Sequence, residues 1–458
     1  MPLPDHAAGD LAHLIHPLTD HSQLAETGPL VIVRGEGCEL IAADGRRLID
    51  GFAGLWTVNL GHGRQDLIDA AVTQMQTLPY AATFGGVSSP PPIELAERIV
   101  DLAPPGLSGV FFVSGGSEAN ETAIKLARRH WVSHGRPLKS VVLAHDRSYH
   151  GLSGVTTTAT RLSPYHGEFG LEAPDIVEVP APYTYRCPAG VPCDPETCPV
   201  CLGEALEAKI AELGADRVAA VMVEPVFGSG GVIVPPPGYL RRLREICDRQ
   251  EVLLIVDEVI TGFGRTGAWF ASEHEGISPD LITFAKGVSS GYVPLGGVIV
   301  SDELWDELRD PARRPGFLMH GFTHSGHPVA CAVGLASIEA IEREGLLARV
   351  REASETLAGL VAPLRDHPEV GEVRQAGLMV GIELVRDKET RQPWPVEVAR
   401  GRRAAAEARE RGLLTRGLLD DILCLTPPFT IEDEMMARAV EILTDSIEAT
   451  RDSHVPVP

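Results

Sequence analysis

The sequence predicts an α/β fold: a mostly parallel central sheet covered by helices, with a smaller α+β domain built from the chain termini. The prediction rests on three features. Short aliphatic runs recur, such as VAAVMV (Val218–Val223) and VLLIV (Val252–Val256), and runs without polar alternation are strands buried on both faces. Amphipathic helical segments separate these runs, as crossovers between parallel strands require. From about residue 325 the order changes to long helices, single strand segments and a closing helix. The expected division is an N-terminal arm with small-domain strands over 1–60, a large domain over 61–325 and a small domain over 326–458.

At the N-terminus, GPLVIVRGEG and CELIAADGRRLID read as a hairpin turning at AADG. No helical period precedes RQDLIDAAVTQMQTL. In the middle, GVFFV (Gly109–Val113) leads into the helix SEANETAIKLARRHW, and SVVLA (Ser140–Ala144) follows. Then come VAAVMV, a helix around GYLRRLREICDRQ, VLLIV, LITFA (Leu281–Ala285) and LGGVIVS. Two helical stretches span roughly Val329 to Leu364, followed by an isolated strand, GLMVGIELV, and a helix near VARGRRAAAEARERG. DDILCLTPPF and the helix EDEMMARAVEILTDSIEA close the chain.

A length of 458 residues and 44% hydrophobic content suit a protein of two or three domains with a large core. The net charge of −23 argues against nucleic acid or an anionic membrane as a general partner, because both need basic surface. No apolar run approaches the length of a bilayer span. MPLPDHAAGDLAHL lacks the basic-then-apolar order of a signal peptide, so a cytoplasmic protein is expected.

Four of the eight cysteines fall in YRCPAGVPCDPETCPVCLG, spaced C-x5-C-x4-C-x2-C. Zinc knuckles usually pair two close CxxC turns, and only Cys198 and Cys201 form one. With Cys187 and Cys193 they read as a Pro-rich loop with reduced thiols, zinc being the competing reading. No metal is expected.

Chemistry gathers after the strands. FFVSGGSEAN places Gly116 and Ser117 between a buried strand and a helix, where free N–H groups and the helix dipole attract an anion such as phosphate. Ser117 suits an N-cap or a hydroxyl donor to that phosphate. In VLLIVDEVITGFG, Asp257 ends a buried strand, and a carboxylate there needs a cation to offset its lost hydration. Lys286 follows LITFA directly, where burial lowers an amine's pKa and makes it nucleophilic. Taken singly, each has an ordinary structural reading. Together they meet the needs of pyridoxal 5'-phosphate: a phosphate cradle, a lysine for its aldehyde and an acid for its ring nitrogen.

The ordered motifs SGGSEAN, SYHG, VEPVFGSGGVIVPP, VDEVITGFGRTG, TFAKG and GFTHSGHP resemble those of the class III, or omega, aminotransferases of pyridoxal-phosphate fold type I. The likeness runs from GLWTVNLGHG to TPPF. It implies that Lys286 is the Schiff-base lysine and proton carrier, and that Asp257 meets the pyridinium nitrogen. It implies that Val259 and Tyr149 pack on opposite ring faces, that Gly116 and Ser117 cradle the phosphate, and that Glu224 supports the surrounding hydrogen bonds. It also implies that Phe322 and Thr323 reach the phosphate of a neighbouring subunit, so that a homodimer, free to pair into a tetramer, shares its active sites.

For the substrate, the resemblance implies that Arg416 binds a carboxylate, with Arg411 as the nearby competitor. Members that use 2-oxoglutarate often carry a glutamate five residues after that of the EP dipeptide; Ser229 stands there, so Arg416 lacks a charge lock. This resembles the omega-amino acid or amine:pyruvate subgroup, in which an amine or omega-amino acid donates to pyruvate by ping-pong kinetics. Trp56 and Phe84 are the candidate pocket aromatics, and Gly85 and Gly86 after Phe84 widen the pocket. The competing readings are an aminomutase or decarboxylase on the same fold, or a non-catalytic relative.

Overall fold

The computed structural model describes residues 6–166, 169–170, 173–312 and 317–451. The outermost residues of the expected arm and small domain, 1–5 and 452–458, lie outside these. The central sheet has seven strands, in the order Leu107–Val113, Gly296–Ser301, Leu281–Phe284, Leu253–Asp257, Val218–Val223, Val141–His145 and Ile176–Val179. Val218–Val223 and Leu253–Asp257 are buried at every position, as their unbroken aliphatic sequences require. Gly296–Ser301 runs antiparallel to both neighbours. The short link from Phe284 to Gly296 leaves too little chain for a helical crossover, so the strand returns in the opposite sense. The edge strand Ile176–Val179 escapes a search for aliphatic runs because it is short and contains Glu178.

Because the other six strands are mutually parallel, their carboxyl ends share one edge of the sheet. The segments holding Ser117, Tyr149, Glu224, Asp257 and Lys286 all begin there.

Two four-stranded sheets lie outside this layer. One joins Ile32–Glu36, Glu39–Ala42 and Arg47–Asp50 to Leu413–Leu414, which pairs in parallel with Arg47–Asp50. VIVRGEG does form a hairpin with CELIA, pairing from Ile32–Ala42 to Glu36–Glu39, but AADG is the turn of the next hairpin, within CELIAADGRRLID itself. GLMVGIELV is not isolated: Met379–Leu384 lies between Val370–Ala376 and Ile422–Leu425, with Arg416–Gly417 beyond. Its partner Val370–Ala376 contains Glu372, Arg374 and Gln375, which hide it from a search for apolar runs. The N-terminal arm carries two short helices, His6–His13 and His21–Thr27, that the hydrophobic period does not reveal because neither buries a residue. Asp20 caps the second through the N–H groups of Ser22 and Gln23. One apolar cluster runs from Ile49 and Leu60 through Val350 and Leu357 to Leu425 and Ile447, so both ends of the chain share a core. No helix among the described residues is long and apolar enough to cross a membrane.

Candidate active site

Asp257 ends its strand 4% exposed. Its Oδ2 accepts hydrogen bonds from His150 Nδ1 and Asn120 Nδ2, both at 2.7 Å, and its Oδ1 accepts the Val259 N–H at 3.0 Å. His150 and Asn120 are themselves sealed from solvent. Sequence reasoning missed both, although they sit inside the quoted motifs SYHG and SGGSEAN. The adjacent Glu258 faces away from this trio. It accepts the Thr261 hydroxyl at 2.6 Å and the N–H groups of Ala271 and Ser272 at 2.8 Å, so neutral donors offset part of its burial, which still raises its pKa.

Lys286 follows the neighbouring strand with φ +44°, a left-handed conformation that costs a side-chain-bearing residue about 1–3 kcal/mol. A Cβ at the next residue, Gly287, would run into the Asn59 amide, so glycine is required there. The Lys286 amine makes no hydrogen bond or ion pair with a described residue. Burial pulls its pKa down to about 8, against the raising pull of Asp257 and Glu224. Its Nζ lies 5.4 Å from the centre of the Trp56 ring. Trp56 is both core and wall: it is 2% exposed, packs on Phe52 at 4.5 Å and turns its face to the lysine.

Glu224, directly after Val223, accepts the Tyr149 N–H at 2.8 Å and the Gly228 N–H at 3.0 Å. Burial raises its pKa to about 7. Ser229, half-buried, follows Gly228 in the bend that Glu224 anchors. The Tyr149 ring meets Tyr165 edge-on at 5.7 Å.

The helix Gly116–Ser133 opens at this edge without a side-chain cap. Gly115 holds the N-cap position, so Ser117 is not the cap; its hydroxyl instead accepts the Leu152 N–H at 3.2 Å. A Cβ on Gly116 would stand 2.9 Å from Val259 Cγ1, so the helix start fits this close against the Val259 side chain only with glycine here.

Arg416 lies on the short strand Arg416–Gly417, opposite Cys424. Its guanidinium has no ion pair or hydrogen bond among the described residues, yet its charge is felt by Lys286 and Tyr149. Arg411, by contrast, is committed to Glu407 at 2.8 Å on the outer surface. A further cation escaped the sequence reading. Arg265, fully buried, bonds Asn59 Oδ1 at 2.5 Å and the Pro427 carbonyl at 2.6 Å, tying the VNLGHG segment to TPPF beneath Lys286.

Phe84, Phe322 and Thr323 are not joined to this constellation by any described contact. They form a second surface, where Tyr80 donates to the Thr323 carbonyl at 2.7 Å and Thr83 to the Ser325 carbonyl at 2.9 Å. Phe84 is 51% exposed and lies over Gly321, where an added Cβ would come within 2.8 Å of its ring. Thr323 is exposed, and Phe322 packs at 5.1 Å on His320.

The residues present fit pyridoxal phosphate. An uncapped N-terminus of a long helix suits the phosphate, an unpaired buried amine suits the aldehyde, and a buried carboxylate held by neutral-capable donors suits the ring nitrogen. The family model Aminotransferase class-III matches residues 22–447 of the chain. The chain is a class III aminotransferase. It is therefore an enzyme that depends on pyridoxal phosphate. The aminotransferase is 39% identical over 441 residues to the putrescine–pyruvate aminotransferase of Pseudomonas aeruginosa, covering 96% of this chain and 94% of that protein. It is 41% identical over 429 residues to the diaminobutyrate–2-oxoglutarate transaminase of Halomonas elongata, covering 91% of each. Its fold superposes with a TM-score of 0.94, at 43% identity and 98% coverage of both chains, on a thermostable (S)-enantioselective omega-transaminase from Thermomicrobium roseum.

Proposed function

We propose that the enzyme moves an amino group from a primary amine or omega-amino acid to pyruvate. The observation that carries the acceptor is the unpaired Arg416: with Ser229 in place of a gating acid, its guanidinium has no described carboxylate partner and is free for that of a small oxo-acid. The putrescine–pyruvate relative supports the same pairing.

Bound pyridoxal phosphate supplies an electron sink for the carbon that loses its proton. Gly116 and Ser117, at the helix N-terminus, hold the phosphate. Tyr149 and Val259 would bracket the ring, and Asp257 would keep the ring nitrogen protonated. His150 and Asn120 fix the Asp257 carboxylate, so it would meet that nitrogen without reorganising. Lys286, uncharged in part near neutral pH because of its burial, anchors the aldehyde. Its unpaired amine would also carry a proton to and from the donor carbon when cofactor and donor are bound. Glu224 locks the Tyr149 backbone in place. Trp56 walls the pocket beside the amine.

Phe84, Phe322 and Thr323 would serve the active site of a second copy, because no described hydrogen bond or ring contact joins them to the residues around this chain's own Lys286. A homodimer with shared sites follows, working in the cytoplasm. Residues 61–325 act as the cofactor-binding unit, flanked by 1–60 and 326–458.

The test is the half-reaction. Holoenzyme is mixed with β-alanine, taurine, a diamine and a simple chiral amine, and the visible absorbance of the lysine-bound cofactor is followed. Bleaching by a donor, restored by pyruvate, is the expected result. Restoration by 2-oxoglutarate alone removes the acceptor assignment, and turnover without any added oxo-acid moves the enzyme to the mutase class.

A further inference from the structure

Between the edge strand Ile176–Val179 and the helix Glu204–Leu213 the chain forms a strap with one short 3-10 turn, Thr184–Arg186. Sequence spacing alone favours a loop of unrelated thiols there. The fold instead converges them. Cys187 and Cys198 Sγ stand 3.4 Å apart, and Cys193 and Cys201 Sγ stand 3.7 Å apart. The sulfurs of Cys187, Cys193 and Cys198 all lie within 4.8 Å of one another.

We infer that Cys187, Cys193, Cys198 and Cys201 bind one zinc ion as a structural site. The separations decide the chemistry. A disulfide needs sulfurs about 2.05 Å apart. A tetrahedron with Zn–S bonds of about 2.3 Å has edges of about 3.8 Å. The Cys193–Cys201 pair matches that edge, the Cys187–Cys198 pair is a little shorter, and neither is at covalent distance; Cys201 joins the group of three through its contact with Cys193. Backbone N–H groups also face two of the sulfurs. The Ala189 N–H points at Cys187 sulfur, and the N–H groups of Val200 and Cys201 point at Cys198 sulfur. Donors aimed at a ligand sulfur set its orientation. Two Cys-Pro turns, at Cys187-Pro188 and Cys198-Pro199, create these knuckles, and only the second has the familiar CxxC spacing. Val200 and Ala205 close the cluster with apolar surface. Four thiols packed in such a pocket would otherwise offer one another only weak S–H donors.

The ion would fix the strap rather than join the reaction. The strap delivers Tyr183, Tyr185 and Arg186 to the small sheet. Tyr183 and Arg186 both bond Glu383, Arg374 donates to the Tyr183 hydroxyl at 2.6 Å, and Arg391 donates to the Tyr185 carbonyl at 2.6 Å. Glu383 belongs to the strand next to Ile422–Leu425, which in turn pairs with the Arg416 strand. Zinc would thus hold the edge of the large sheet against the sheet that presents Arg416.

Elemental analysis of the purified holoenzyme is expected to give one zinc per chain. Cys198→Ser and Cys201→Ser should each lower that content at least tenfold, whereas Cys331→Ser, outside the cluster, should keep it. A strong chelator should lower the thermal midpoint of the wild type but not that of Cys198→Ser. If the cluster variants do not fold, native mass spectrometry of the wild type decides by the mass of the bound ion. Three results would overturn the site: no zinc after incubation of the reduced wild-type protein with Zn²⁺, iron in place of zinc, or Cys187–Cys198 and Cys193–Cys201 disulfides in a non-reducing peptide map.

Discussion

His150 Nδ1 lies 2.7 Å from Asp257 Oδ2, and both side chains are almost wholly buried. A carboxylate can only accept, so the imidazole donates, and one Asp257 oxygen is fixed from behind by His150 and Asn120. His150 is a positioning residue. Replacing it with Ala leaves that oxygen short of a buried donor, at a cost of about 1–3 kcal/mol. A loss of that size, felt at the barrier, slows turnover roughly fivefold to a hundredfold. His150→Ala should therefore lower kcat and weaken cofactor retention on dialysis, while His150→Gln, which can still donate, recovers part of both. Normal turnover in His150→Ala would show that Asp257 needs no such support.

Lys286→Ala should abolish turnover while the protein still takes up cofactor non-covalently, read by mass spectrometry under denaturing and native conditions. The amine's pKa also makes a kinetic prediction. With a pKa near 8, its neutral fraction rises about tenfold from pH 7 to pH 9 and then levels. Cofactor attachment to the cofactor-free protein should follow that curve. A lysine at its ordinary value would give a rise of roughly a hundredfold with no plateau.

Glu224 gives a pH dependence of stability with a definite sign. Burial raises its folded pKa to about 7 from an ordinary 4.5. Between those values the folded state binds more protons than the unfolded state. Its contribution is therefore fully present below pH 4.5 and is lost as pH rises through 7. Glu224→Gln should remove this decline, so the Tm of the variant, relative to wild type, climbs from pH 4.5 to 7. A parallel pair of Tm curves would count against a buried, proton-holding Glu224.

Arg416→Leu should lower kcat/KM for pyruvate by roughly tenfold to a hundredfold, the loss of charge-assisted hydrogen bonds worth about 1.5–3 kcal/mol. The half-reaction with an uncharged-tail amine should change little. Arg411→Ala serves as the control, because its guanidinium already belongs to Glu407 on the surface. Equal losses in the two variants would show that Arg416 has no special place.

The shared-site proposal predicts complementation. Thr323→Glu sets a charge against the phosphate of the second copy, and Lys286→Ala removes the amine of its own site. Each should be inactive alone. Subunits exchanged at random should recover roughly a quarter of wild-type activity, because half the dimers are mixed and each holds one intact site. No recovery after verified exchange would place each site within one chain.

The chemistry was legible wherever it depends on neighbours along the chain. Lys286 and Asp257 stand at the ends of aliphatic runs, so their arrival at one edge follows from the rule for parallel strands. Ser117 was legible as a first-turn residue but not as a non-cap, because the cap depends on where Gly115 leaves the helix. The proximity of the strap's sulfurs was not legible for a related reason: their spacing departs from the paired CxxC pattern, and Cys187 meets Cys198, and Cys193 meets Cys201, only in the folded strap.

By itself the sequence determined the covered parallel sheet, the family and which candidate site residues reach the sheet edge, because burial on both faces forces unbroken apolar strands and those residues cluster in contiguous motifs. The tertiary structure alone decided which donor meets Asp257, that Arg265 ties Asn59 to Pro427, that Leu413–Leu414 completes the N-terminal sheet, and that the Tyr80–Phe84 loop lies against the segment holding Thr323. Each of those pairings joins residues roughly a hundred or more positions apart. Local propensity carries no record of such a partner; it is selected only when the packed core leaves a buried polar group one place to be satisfied.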